Sequence, residues 1–274
     1  MKAMILAAGL GTRLKPLTDS RPKALVEINN RTLLEITLTR LRAFGITEVI
    51  INVHHFADQI VAYLRSKNYF NLRIEVSRED DLLLDTGGGL KKASWFFLED
   101  PKSLDEPFLL HNVDVLSTID FTRMLQFHED HHTLATLAVQ SRPSGRQLLF
   151  DDHLQLHARA ASPAQIAEAS HSERSAHSAL RTNLRSEESA SSVSQPEPLQ
   201  PLAFSGIHLI SPRLLPLLTE TGPFSIIDSY LRLAAQGQKI LAFRSDQYYW
   251  RDLGRPADLT QAALDLESGL RAED

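Results

Sequence analysis

Cysteine is absent from all 274 residues. That absence excludes disulfides, zinc-thiolate centres and cysteine nucleophiles, and it is compatible with a reducing cytoplasm. No apolar run approaches the roughly 20 residues needed to cross a membrane, so a soluble, cytoplasmic protein with no membrane partner is expected. The apolar part of the N-terminal MKAMILAAGLGTR is too short for a signal-peptide core plus cleavage site, and it runs straight into glycines. It reads as a first strand. Basic charge is in the minority: 29 Lys and Arg against 34 Asp and Glu give a net charge of -5. That balance argues against a broad electrostatic footprint for nucleic acid and leaves any anionic substrate to be held by particular residues.

What is present is a globular composition, 43% hydrophobic and 23% charged, on a chain long enough for one large α/β domain or two small ones. The first half alternates β-branched runs with amphipathic stretches, the pattern of βαβ units and a mostly parallel sheet flanked by helices. Strands are expected at Lys2–Leu6, Glu48–Val53, Leu72–Val76, Phe108–Val113 and Thr133–Val139. Helices are expected at Thr32–Phe44, closed by Gly45, at Ala57–Arg65, at Leu90–Phe97 and at Phe121–His131, capped by Asp120. Further on come a strand at Leu202–Ile210, a helix at Phe224–Ala235, strands at Ile240–Phe243 and Tyr248–Asp252, and a closing helix from Pro256. Between about 158 and 200 Ala, Ser, His, Glu and Arg dominate, so this irregular insert offers little core. Within it Ser162-Pro163-Ala164-Gln165 has the spacing of a helix start, and the Ser-rich remainder reads as flexible. No internal repeat is present, and residues 1–274 read as a single domain carrying that insert.

The strongest motif is Leu6-Ala7-Ala8-Gly9-Leu10-Gly11-Thr12-Arg13, directly after a strand and followed by Arg21-Pro22-Lys23-Ala24-Leu25. Glycines Gly9 and Gly11 let backbone amides approach a triphosphate without Cβ interference. Arg13 offers a planar fork for the β and γ phosphates and Lys23 a compact charge for the α phosphate. A P-loop would need Gly-Lys-Ser/Thr, and a dinucleotide fold a third glycine with an acidic residue ending the second strand, which instead ends Asn52-Val53-His54. His54-His55 and His128, His131 and His132 lack the convergence a transition metal needs. The second group spans one helical face and is expected to be a solvated helix end.

On these motifs the chain resembles the sugar-1-phosphate nucleotidylyltransferase family, most of all its short single-domain members, over roughly residues 2–150 and 202–264. The resemblance implies a glycosyltransferase-A-like, Rossmann-like three-layer α/β fold, with NTP and a sugar 1-phosphate as substrates. It implies that Leu6, Ala7, Ala8, Gly9, Gly11, Thr12, Arg13 and Lys23 bind the nucleotide, together with Asn112 and with Thr86, Gly87 and Gly88 of a base-reading loop, Thr86 to Gly89. Asp85 stands where Glu is more usual, and Asp85 and Gly206 of Phe204-Ser205-Gly206-Ile207 are the implied sugar contacts. The absence of a hexapeptide-repeat tail fits the short members, whose products feed cell-envelope polysaccharide, as monomers or homodimers.

Pyrophosphate departure calls for neutralised charge at the α phosphate, and Mg²⁺ typically takes one or two carboxylates plus phosphate oxygens. An Asp at a strand end is by itself a cap or turn residue; the resemblance makes Asp114 and Asp252 the metal ligands, with Arg13, Lys23 and Asp114 as the catalytic set. Val113, where glycine is common, and Arg255, where Thr is common, depart from the family pattern. The implied reaction is in-line attack by an already anionic sugar phosphate, so no general base is required. Asp-Thr-Gly-Gly-Gly favours UTP, with GTP the alternative base. Competing readings are a cytidylyltransferase acting on a phosphorylated alcohol and a non-catalytic nucleotide-binding regulator, which would not need both carboxylates.

Overall fold

The computed structural model describes residues 1–99, 105–160 and 199–270. Strand β1 (Lys2–Leu6) is followed by a small ribbon of β2 (Glu27–Ile28) and β3 (Arg31–Thr32), then α1 (Leu33–Ala43), β4 (Glu48–Val53), α2 (Ala57–Ser66) and β5 (Arg73–Arg78). Next come α3 (Asp85–Ala93), α4 (Trp95–Leu98), β6 (Phe108–Asn112), β7 (Val115–Ser117), α5 (Phe121–Asp130), β8 (Ala135–Gln140), β9 (Gln147–Phe150) and β10 (Leu156–Arg159). The remainder is β11 (Gln200–Ile210), α6 (Ile226–Ala235), β12 (Ile240–Arg244), β13 (Trp250–Asp252) and α7 (Pro256–Glu267).

Helix boundaries follow local chemistry. The Thr32 hydroxyl accepts from the Glu35 amide at 3.0 Å to open α1, and Gly45, at φ +77°, takes the left-handed position that closes it. Asp120 caps α5 through the Arg123 amide at 3.0 Å. One boundary differs from expectation: the helix expected at Leu90–Phe97 starts at Asp85 and breaks at Ser94, so the segment read as a glycine loop is the first turns of α3. The reason is packing. A Cβ on Gly87 would lie 2.3 Å from the Phe224 ring, on Gly88 2.8 Å from the Gly222 carbonyl, and on Gly89 2.7 Å from the Asn52 amide. These glycines trade helix propensity for close approach of neighbouring elements.

The main sheet runs β10-β9-β11-β6-β1-β4-β5, with β8 pairing β11 and carrying β12 on its other side. β1 is parallel to β4 and β6, β4 to β5, and β8 to β12, while β11 is antiparallel to β6, β8 and β9. This is the mixed, mostly parallel sheet the alternation implies. Its two faces are both covered. Ala3 and Ile5 of β1 enter a core with residues of α1, α2, α5 and α7, whereas Met4 points into a second core with Leu90, Phe96, Ile226 and Tyr230. Period-2 alternation thus serves helical layers on both sides.

The hairpin β9–β10 and the short β7 were not anticipated, because strands of three or four residues barely register as periodic. The strand expected at Tyr248–Asp252 is reduced to β13, which pairs with β7 apart from the main sheet. The insert shrinks at both ends, since Ala158 and Arg159 belong to β10 and Gln200 to β11. The expected helix start at Ser162–Gln165 and the Ser-rich stretch lie outside the described residues.

Candidate active site

The sheet brings the carboxyl ends of β1, β4 and β6 together, the place where open α/β sheets bind ligands. A cavity of about 430 Å³ opens there, walled by Leu6 to Gly9 after β1, Asn52 of β4, Asn112 to Asp114 after β6, Lys23, and Leu83, Asp85, Thr86 and Pro223 from across the cleft. A Cβ on Gly9 would meet nothing within 4 Å, so this turn stands clear of other protein atoms. Gly11 instead needs its φ of +65°, and a Cβ there would lie 2.9 Å from Thr18 and 3.3 Å from Lys23.

Lys23 is buried, at 8% exposure, and its ammonium pairs with the Asp114 carboxylate inside this cavity. Asp114 is presented by the turn between β6 and β7. The departure at Val113 leaves that turn intact: its amide donates to the Leu6 carbonyl at 3.1 Å, and its φ is not left-handed. Asp252 comes alongside through the β7–β13 ladder, where it lies opposite Val115 while the Leu253 amide donates to the Asp114 carbonyl at 2.8 Å. Its Oδ1 accepts from the Gly254 amide at 2.7 Å and lies 3.9 Å from the exposed Arg13 guanidinium. Arg255 precedes α7 with no side-chain cap. Arg13, Gly11, Thr12 and Asp252 thus stand beside the cavity rather than in its wall.

Thr86 and Asp85 line the cavity, but the Thr86 hydroxyl also accepts from the Ile226 amide at 3.0 Å. The Gly87 and Gly88 amides donate to the Phe224 carbonyl at 2.9 and 3.4 Å, and both residues are buried. What this segment presents to the cavity is Asp85 and Thr86. Gly206, at φ +74°, sits at an irregularity in the β11–β8 pairing, and a Cβ there would lie 2.8 Å from the Asn112 amide nitrogen. A second, outer cavity of about 810 Å³ shares Asp85, Thr86 and Asn112 with the first. Arg146, Gln147, Arg159, Phe204, His208 and Ser225 contribute to its wall. Phe204 belongs to the motif expected near the sugar; sequence reasoning missed the others and also Asn52. The hairpin β9–β10 that carries Arg146 to Arg159 was unread, and Asn52 was visible only as a polar residue ending an apolar strand.

The histidines near the centre are held neutral. His111 is buried and its pKa is lowered to about 4, chiefly by burial and then by the Arg40 charge; His208 is lowered to about 3, by burial and then by His111. Neither carries charge near pH 7. His128 corrects the expectation of a solvated helix end: it is buried, its Nδ1 within 2.8 Å of Thr133 Oγ1 and 2.9 Å of Thr136 Oγ1, and burial lowers its pKa to about 4. His131 and His132 are exposed. Among the described residues no group of three or more His, Cys, Asp or Glu is placed to hold a metal.

A profile of the family described as nucleotidyl transferase matches residues 2–147. The chain belongs to that family. It is 30% identical to N-acetylmuramate alpha-1-phosphate uridylyltransferase of Caulobacter vibrioides over 98% of this chain and 96% of that protein. Mannose-1-phosphate guanyltransferase of Aspergillus fumigatus is 38% identical over 51% of this chain and 37% of its own length. Among solved structures, HddC from Yersinia pseudotuberculosis complexed with GMP-PN superposes with a TM-score of 0.68 at 19% identity, covering 97% of this chain and 99% of that one. A UDP-glucose pyrophosphorylase complexed with UDP-glucose superposes with a TM-score of 0.71 at 16% identity, covering 98% and 99%. The enzyme class read from the glycine loop, a sugar-1-phosphate nucleotidylyltransferase, is the class to which the two curated relatives belong by name. No described helix is long and apolar enough to cross a membrane.

Proposed function

We propose that this nucleotidyl transferase moves the nucleoside monophosphate of an NTP, UTP in preference to GTP, onto a sugar 1-phosphate, giving an NDP-sugar and pyrophosphate. The observation that carries the reading is a pair of adjoining cavities with Asp85, Thr86 and Asn112 in the walls of both. The inner one sets the Ala7–Gly9 turn and the Lys23–Asp114 pair at the strand ends, and the outer one continues past Asp85 and Asn112. The nucleotide occupies the inner cavity and the sugar the outer, so the phosphates meet beside Lys23. The preference for UTP rests on the likeness to a uridylyltransferase matched along nearly the whole of this chain.

An oxygen of the sugar phosphate attacks the α phosphorus, a new P–O bond forms, and the bond to the β-phosphate oxygen breaks as pyrophosphate leaves. The nucleophile is anionic at neutral pH, so neutral His111 and His208 are no obstacle, and the protein's task is positioning and electrostatics. Lys23 stabilises charge at the α phosphate, and Arg13, exposed beside the cavity, reaches the outer phosphates.

Asp114 and Asp252 suit magnesium: one carboxylate from the β6–β7 turn and one from β13, which pairs with β7, form an incomplete, all-oxygen set that substrate phosphates and water would finish. A bound Mg²⁺ would neutralise phosphate charge there. A single catalytic domain working in the cytoplasm, where NTPs are at hand, is consistent with the cysteine-free composition. The test is a matrix of NTPs against sugar 1-phosphates with pyrophosphate release as readout. Release that depends on both substrates supports the reading, and NTP hydrolysis alone, or no release with any sugar phosphate, refutes it.

A further inference from the structure

Behind the inner cavity runs a buried chain of hydrogen bonds that joins its two rims. The Ala7 amide donates to Asn52 Oδ1 at 2.8 Å, Asn52 Nδ2 donates to Glu79 Oε1 at 2.8 Å, and the Leu84 amide donates to Glu79 Oε2 at 2.8 Å. Asn52 is 2% exposed and Glu79 1%. Ala7 begins the turn assigned to the phosphates. Leu84 immediately precedes Asp85 and Thr86 on the opposite wall.

No cation is paired with Glu79 among the described residues; its side chain is held by the Asn52 amide and a backbone amide alone. An ionised carboxylate without a counter-charge is costly to bury. Its placement therefore points to something other than stability. Gly89 supports the same view, since a Cβ there would lie 2.7 Å from Asn52 Nδ2 and 2.8 Å from Glu79 Oε1. Helix α3 thus approaches the bridge closely enough to demand glycine.

The chemistry of the bridge is directional. Both ends are backbone N–H donors aimed inward, so the two side chains between them must supply one donor and three acceptors. An amide that accepts on one side and donates on the other, followed by a carboxylate that accepts twice, meets that requirement. E79Q leaves one donor facing another whichever way either amide is turned, and N52D sets two carboxylates against each other. Making both exchanges restores the count in mirror image. The carboxylate, now on β4, would accept from the Ala7 amide and from the new carboxamide, whose oxygen would accept from the Leu84 amide.

We propose that Asn52 and Glu79 are positioning residues that fix the distance between the phosphate turn and the Leu84–Thr86 wall, and so set affinity for the nucleotide. This rests on the nucleotide occupying the inner cavity. Wild type, N52D, E79Q and the double variant N52D/E79Q are compared for NTP KM, kcat, melting temperature and amide hydrogen exchange at Ala7 and Leu84. A bridge with a mismatched donor or acceptor should raise the NTP KM about tenfold or more in each single variant. The double variant should return to within about threefold of wild type, with exchange protection regained. Single variants within twofold of wild-type KM, a double variant no better than either single, or melting temperatures that fall while KM stays put would each overturn the positioning role. Wild type without turnover would refute the functional reading and the role that rests on it, while the exchange pattern would still report whether the bridge is directional.

Discussion

Asp114 and Asp252 share one assignment but not one environment, and that difference makes them separable by experiment. Asp114 balances a lysine that is 8% exposed, whereas the Asp252 side chain is 42% exposed and faces an arginine that is itself largely in solvent. Asp114→Asn therefore removes a proposed metal ligand and also leaves Lys23 without its counter-charge; breaking a buried pair from one side costs up to about 3 to 5 kcal/mol, less at this partly open site. Asp252→Asn removes the proposed ligand at little cost in stability, because exposed pairs contribute about 0 to 1 kcal/mol and the carboxamide oxygen can still accept from the Gly254 amide. Both variants should lose roughly a hundredfold or more in kcat and recover part of it at high Mg²⁺ or Mn²⁺, but only Asp114→Asn should melt clearly lower. Magnesium titrations beside thermal melts read this directly. Full activity in either variant, with an unshifted metal requirement, would remove that aspartate from the site.

At the scale of elements, two glycine-rich segments that look alike in sequence do different work. Gly9 lies in open space on the cavity wall, so Gly9→Ala should leave the melting temperature nearly unchanged while raising the NTP KM. Gly87 is pressed against Phe224, so an added methyl must displace the ring and disturb the carbonyl that receives the Gly87 amide. Overpacking costs roughly 1 to 3 kcal/mol, against a helix-propensity gain of about 1 kcal/mol, so Gly87→Ala should lower stability by up to about 2 kcal/mol. Unchanged denaturant midpoints for Gly87→Ala would mean the ring has room to move. The distinction shows what the sequence could disclose. Long, strongly periodic elements such as α1, β4 and α5 were legible because their caps and alternation are local, and so was the glycine turn after β1. The helical start of α3 was hidden, because its glycines answer to Phe224, Gly222 and Asn52, residues far away in the chain. The Asn52–Glu79 bridge and the β7–β13 ladder that sets Asp252 beside Asp114 were hidden for the same reason.

For the whole molecule, three buried histidines tie stability to pH. His111 and His128 titrate at about 4 and His208 at about 3 in the folded chain, below the value of about 6.5 expected when unfolded. Between those limits the unfolded chain binds more protons, so stability falls as pH falls. The slope is up to about 4 kcal/mol per pH unit, from three groups at about 1.4 each. Urea unfolding at pH 7, 6 and 5 should show the loss concentrated below about 6.5, above the range where the lowered carboxylates such as Glu99 titrate. A stability that stayed flat from pH 7 to 5 would place these imidazoles in contact with solvent. The insert is the other global question. β10 and β11 both run antiparallel to β9, so they are parallel to each other with β9 between them. Arg159 lies opposite Leu148 and Gln200 opposite Phe150, so the connection must cross two strand spacings, about 10 Å, and step back two residues, about 7 Å. A flexible linker of about eight residues has a typical reach of about 15 Å and covers that span. Replacing Ala161 to Glu197 by such a linker leaves every described strand pair and both cores in place, and closing a shorter loop costs little entropy. The shortened protein should fold, melt within a few degrees of the full chain and retain NTP binding. A fall of more than about 10 °C would show that residues 161–197 pack on the cores. Intact melting with lost sugar-phosphate turnover would assign them to the outer cavity, whose wall includes Arg159 and Ala160.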